Sequence, residues 1–111
     1  MSEEIKRRFL IVCDGGNVRS HALAYCLKWD HQQEAIAVGR IYMSRDTMHL
    51  LSEWADVIVI VQPHMEESIP ISERDKLVCL DMGTDRWGYK FDGDLLKKAQ
   101  AGADWVMAGC P

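Results

Sequence analysis

A chain of 111 residues, 48% hydrophobic and 27% charged, has the make-up of an ordinary globular domain, long enough for one core and too short for two. Its formal net charge of −4 favours neither nucleic acid nor an anionic membrane as a non-specific partner. No apolar run approaches the roughly 20 residues of a membrane-crossing helix, and residues 1–8 lack the apolar core of a signal peptide, so a cytoplasmic protein with a frayed, charged tail over residues 1–8 is expected.

Residues 9–12, Phe-Leu-Ile-Val, form a continuous apolar run, as in a strand buried on both faces. A short loop follows, in which Gly15 and Gly16 allow positive φ and Asn17 tolerates it. Ser20 stands as the N-cap of a first helix, with Ala22, Leu23, Cys26 and Leu27 at helical spacing to about Asp30. A short strand is expected at 35–38, ended by Gly39. Ser44 caps a second helix with Met48, Leu51 and Ala55 on one stripe and Leu50 and Trp54 beside it. Residues 57–61 are five β-branched residues in a row, the strongest strand signal in the chain. Pro63 opens a short helix to about Ile69, and Pro70 stops it. A fourth strand is expected at 77–80, an irregular stretch at 81–91, and a last helix capped by Asp92 or Asp94 and running to about Trp105. Glu66-Glu67 and the charged run 72–76 read as solvated helix and turn surface. Alternating strand and helix with short connections implies right-handed crossovers and a parallel sheet covered on both faces, an α/β fold.

The four cysteines, Cys13, Cys26, Cys79 and Cys110, form no Cys-x-x-Cys pair, and the four histidines show no ligand spacing beside them. The expectation is therefore no metal and no cofactor, with Cys26 and Cys79 as small core residues. Cys13 differs, because five residues separate it from Arg19 and a strand precedes it. A loop that short, ending at a helix start, can aim its backbone N–H groups into one bowl and hold an anion. An arginine at its end adds a planar fork for two phosphate oxygens, and a sulfur at its start lies under the anion with its thiolate favoured by the same amides. The competing assignment is a buried strand-end cysteine and a solvated helix-start arginine.

In the residues Cys13, Arg19 and Ser20 the chain resembles the low-molecular-weight protein tyrosine phosphatases, whose loop also follows the first strand and also reads Cys, five residues, Arg-Ser. It looks closest to short bacterial relatives of about 110 residues. The resemblance, taken with the alternation, implies a three-layer fold with a four-stranded parallel sheet in the order 2-1-3-4. The chain would then reverse direction beside strand one, where open α/β sheets bind ligands at the carboxyl ends of their strands. It further implies hydrolysis of a phosphomonoester, phosphotyrosine or a small aryl phosphate, through a cysteinyl-phosphate. Cys13 would be the nucleophile and Arg19 the oxyanion clamp. Asp14, Gly15, Gly16, Asn17, Val18 and Ser20 would line the anion, with the Ser20 hydroxyl donating to the sulfur. The family's acid lies in a late loop, which makes Asp85 the expected proton donor, with Asp81 and Asp92 as alternatives that equally suit a turn or a cap. Trp87 and Tyr89 would wall the cleft, or else cover the core edge.

Asp14 places a carboxylate on the loop, which opposes an anion unless it points to solvent, and His21 reads as an exposed first-turn histidine. Other functions fit parts of the pattern. A thioredoxin-linked arsenate reductase shares the loop but needs two further cysteines close together. A sugar-phosphotransferase carrier has no use for Arg19. A non-catalytic phosphate- or phosphoprotein-binding module would keep the bowl without a competent acid.

Overall fold

Apolar runs without alternation become central strands because both faces of the strand are covered. In the computed structural model, which describes residues 6–15, 18–83, 87 and 91–109, β1 (Arg8–Cys13) and β3 (Val57–Ile60) are those strands. Every residue of β1 from Phe9 to Cys13 is fully buried. With β2 (Glu34–Gly39) and β4 (Leu77–Cys79) they form one sheet in the order β2-β1-β3-β4, all parallel. Phe9 pairs with Ala35 on one side and Val57 on the other, and Val12 pairs with Val38 and Ile60. The expected order and class hold.

Helix α1 (Val18–Trp29) packs on β1, β2 and α3 (Gly93–Gly109), so α1 and α3 share one face of the sheet. The crossover from β2 to β3 runs through α2 (Arg45–Trp54) in the opposite direction, and a right-handed connection places it on the other face. Ser44 caps α2 as expected, its hydroxyl accepting from Thr47 N at 3.1 Å. Between β3 and β4 the chain takes two 3-10 segments, Pro63–Ser68 and Ile71–Lys76, separated by Ile69 and Pro70. No helix among the described residues is long and apolar enough to cross a membrane.

Four expectations need correction. The strand begins at Arg8, and Arg7 is already tied down by its N–H on Gln33 Oε1 at 2.7 Å, so the tail is shorter than residues 1–8. Helix α1 starts at Val18, two residues before Ser20, which therefore sits inside the first turn and is fully buried instead of capping the helix. The last helix runs on to Gly109. Cys79 is exposed, not core. Strand β4 is the three-residue edge of the sheet; Leu80 lies against Gly102 of α3, and alternation turns Cys79 to the other face at that edge. Cys26 does lie in the core, where burial, with Asp30 and Asp104 nearby, pushes its thiol up to about 11.

Candidate active site

The sheet reverses its winding at β1, and the loop after Cys13 leaves from that point. Starting α1 at Val18 turns Arg19 inward, and its side chain is fully buried. Taking a guanidinium out of water costs several kcal/mol unless polar groups meet it. Here Nη1 donates to Gln62 Oε1 and to Gly83 O, both at 2.6 Å, and Nη2 lies 4.0 Å from Asp14 Oδ2. Gln62 follows β3 and Gly83 follows β4, so one guanidinium gathers the carboxyl ends of three strands. The assignment of Arg19 as a solvated helix-start residue is overturned.

Gly83 reaches Arg19 through a turn that needs glycine. Its φ is +76°, and its N–H donates to Asp81 Oδ1 at 2.9 Å, which gives Asp81 a turn role. Asp92 has the capping role: Oδ1 accepts from Asp94 N at 3.0 Å and Leu95 N at 3.3 Å at the start of α3. Asp85, Gly16, Asn17 and Tyr89 lie outside the described residues. Trp87 is half-buried against the core with Lys98 Nζ 5.6 Å above its ring, which is the core-edge placement of the two expected for it. Val18 opens α1 and packs on the core.

The loop is braced from outside. Gly15 does not have the expected positive φ; a Cβ there would come within 2.6 Å of Ile41 Cδ1. Gly39 at the end of β2 approaches more rigid atoms, since a Cβ would meet Asp14 O and Gly15 O at 3.1 Å, and only glycine lets loop and strand lie that close. Ile41 N donates to Asp14 O at 3.2 Å, and Ile41 and Tyr42 stand exposed at the lip.

Asp14 does not simply point to solvent. Arg40 Nε donates to its Oδ1 at 2.6 Å, and His64 Nε2 lies 3.2 Å from both oxygens. Burial raises the Asp14 carboxyl, but the hydrogen bonds and charges of Arg40 and His64 outweigh it and hold it below the usual carboxylate range. The same bond raises the Arg40 guanidinium further.

No family model matches the chain, and no curated protein sequence matches it either. Among solved structures, the YwlE arginine phosphatase from Geobacillus stearothermophilus matches with a TM-score of 0.50 and 20% identity, over 92% of this chain and 86% of that one. That protein is a bacterial member of the low-molecular-weight phosphatase family. The chain has the low-molecular-weight phosphatase fold.

Within that fold the residues that sequence reasoning missed are Arg40, Gln62, His64 and Gly83. Arg40 directly follows β2, Gln62 is the second residue past β3, and His64 comes two residues later. Their position was the available signal: in a parallel sheet, residues just past the strand ends face the binding crevice.

Proposed function

We propose that this chain is a cysteine-dependent phosphatase of the low-molecular-weight type, hydrolysing a phosphomonoester without a metal or cofactor. The observation that carries the reading is the pairing of a fully buried Cys13 at the end of the central strand with a fully buried Arg19 one loop later, the guanidinium fixed between Gln62 and Gly83. A planar guanidinium held at the carboxyl ends of the strands, one loop from a cysteine, is suited to holding two oxygens of a phosphate.

In this reading the Cys13 thiolate attacks phosphorus and the P–O bond to the leaving group breaks. The loop amides of residues 14–18 and Arg19 hold the equatorial oxygens, and the Ser20 hydroxyl donates to the sulfur. Asp85 gives its proton to the departing oxygen, then takes one from the water that attacks the cysteinyl-phosphate and releases the thiolate. Tyr89 flanks the substrate, and Trp87 covers the core edge beside it. Partners are a phosphorylated protein or a small phosphomonoester, with neither nucleic acid nor membrane, in a reducing cytoplasm that keeps the thiol free. The activity in the structural neighbour's name makes phosphoarginine a substrate to assay beside phosphotyrosine.

A second reading, a phosphate-binding module without turnover, draws support from Asp81 and Asp92, two of the three candidate acids, which serve a turn and a helix cap. The deciding experiment is hydrolysis of para-nitrophenyl phosphate in thiol and chelator, from mildly acidic to neutral pH, beside Cys13→Ser. The expected result is turnover that survives the chelator and vanishes in the variant. Substantial residual activity in Cys13→Ser would remove the nucleophile assignment, and phosphate binding without turnover in the wild type would put the binding module first.

A further inference from the structure

A cleft of about 490 Å3 opens beside the loop, between the turn and helix after β2 and the two 3-10 segments after β3. Arg40 joins the two places. Its Nε holds Asp14, the residue next to Cys13, while its Nη1 reaches Glu67 Oε1 at 3.3 Å and Ser68 Oγ at 3.0 Å in the cleft wall. Arg45 and Arg74 make three arginines in the lining, against the single carboxylate of Glu67.

That carboxylate is already engaged by Arg40. Among the described residues no carboxylate pairs with Arg45 or Arg74. Arg74 gives its Nε–H to Ile69 O at 3.0 Å, which fixes the side chain and leaves its charge uncompensated. On a chain of net charge −4 this is a local reversal of sign, placed next to the reaction centre. The lining is also partly aliphatic: Met48 and Ile69 are buried beneath it, and Ile71 stands 81% exposed. A compact anion such as inorganic phosphate has no use for aliphatic walls, whereas a polypeptide with acidic and aliphatic side chains uses both.

We infer that this cleft seats the acidic flank of a phosphoprotein substrate, so that the enzyme acts on a phosphorylated residue with aspartate or glutamate and an aliphatic side chain beside it in sequence. The inference rests on the phosphatase reading above and narrows its substrate to protein. Arg45 and Arg74 are specificity residues here; the chemical step belongs to Cys13 and Arg19.

The test compares kcat/KM for two phosphotyrosine peptides, one flanked by glutamate and leucine and one by serine and alanine, each divided by the value for para-nitrophenyl phosphate, which is too small to span the cleft. Wild type should favour the acidic peptide roughly tenfold, the preference falling as salt is raised, and Arg45→Glu with Arg74→Glu should erase or invert it. Arg45→Glu alone, at an exposed position, should remove about half of the preference on a logarithmic scale and covers the case in which loss of the Arg74 bond disturbs folding. Equal ratios for the two peptides in wild type, or a preference untouched in Arg45→Glu, overturn the inference. If no phosphomonoester is turned over, the phosphatase reading fails by itself, and the cleft is then read from binding of the same fluorescein-labelled peptides. Tighter binding of the acidic peptide, lost in Arg45→Glu, supports the cleft, and equal binding overturns it.

Discussion

Asp14 sits one residue past Cys13, the proposed nucleophile, with a carboxylate oxygen 4.0 Å from Arg19 Nη2. Unopposed charges at that distance interact by roughly 4 kcal/mol at an effective dielectric of about 20. Arg40 at 2.6 Å and His64 at 3.2 Å already draw most of the Asp14 field to themselves. What remains to compete with a bound oxyanion is about 1 kcal/mol, or roughly fivefold in affinity. Asp14→Asn, which keeps an acceptor for Arg40, should therefore tighten inhibition by phosphate about fivefold; unchanged or weaker inhibition would make Asp14 a brace of the loop and nothing more. The same substitution has a pH signature. Because the folded carboxyl is held below its ordinary value, its contribution to stability is complete above about pH 4 and is lost as pH falls through the lower folded value. The melting temperature of Asp14→Asn should thus decline less steeply than that of wild type below pH 4.

The elements that carry the site were legible where local chemistry alone decides them. Asp92 is the case that can be tested directly, since a carboxylate close to the end of the late loop suited either proton donor or helix cap. Its two hydrogen bonds to Asp94 N and Leu95 N make it the cap of α3. Asp92→Ala should lower stability by about 1 kcal/mol, a fall of roughly 4–8 °C in melting temperature, with kcat for para-nitrophenyl phosphate retained. A large loss of kcat, with slow leaving groups hit hardest, would return Asp92 to the catalytic acid. The β-branched run of β3 and the Ser44 cap were likewise readable, because propensity and capping act within a few residues. Ser20 misled for the same reason in reverse: it has a cap's composition, but the tight loop starts the helix at Val18 and buries it. Cys79 misled because the width of a sheet, and hence which strand is its edge, is a global property. The Arg40–Asp14 and His64–Asp14 contacts join residues 26 and 50 positions apart, and no local pattern announces them.

At the scale of the whole molecule, β3 pairs with β1 on one side and β4 on the other, and backbone hydrogen bonds from Val61 N to Val12 O and from Met82 N to Val61 O carry the pairing past the strand ends to where the crevice opens. The Arg19 guanidinium spans that opening, bound to Gln62 after β3 and Gly83 after β4, while its own helix begins at the end of the β1 loop. An oxyanion seated on the same guanidinium and on the loop amides would fasten the three strand ends together, and it would do so whether or not catalysis follows. Such a ligand binds the folded chain alone, since the unfolded chain brings none of these groups together. Phosphate or vanadate at about a hundred times its dissociation constant should then stabilise the protein by about 2.7 kcal/mol, raising the melting temperature by roughly 10 °C or more. Sodium chloride at equal ionic strength controls for screening. Arg19→Lys keeps a positive charge but loses the planar fork that can bond Gln62, Gly83 and an anion together, so most of the shift should disappear. A shift of equal size in Arg19→Lys would place the anion elsewhere on the surface and detach the buried arginine from ligand binding.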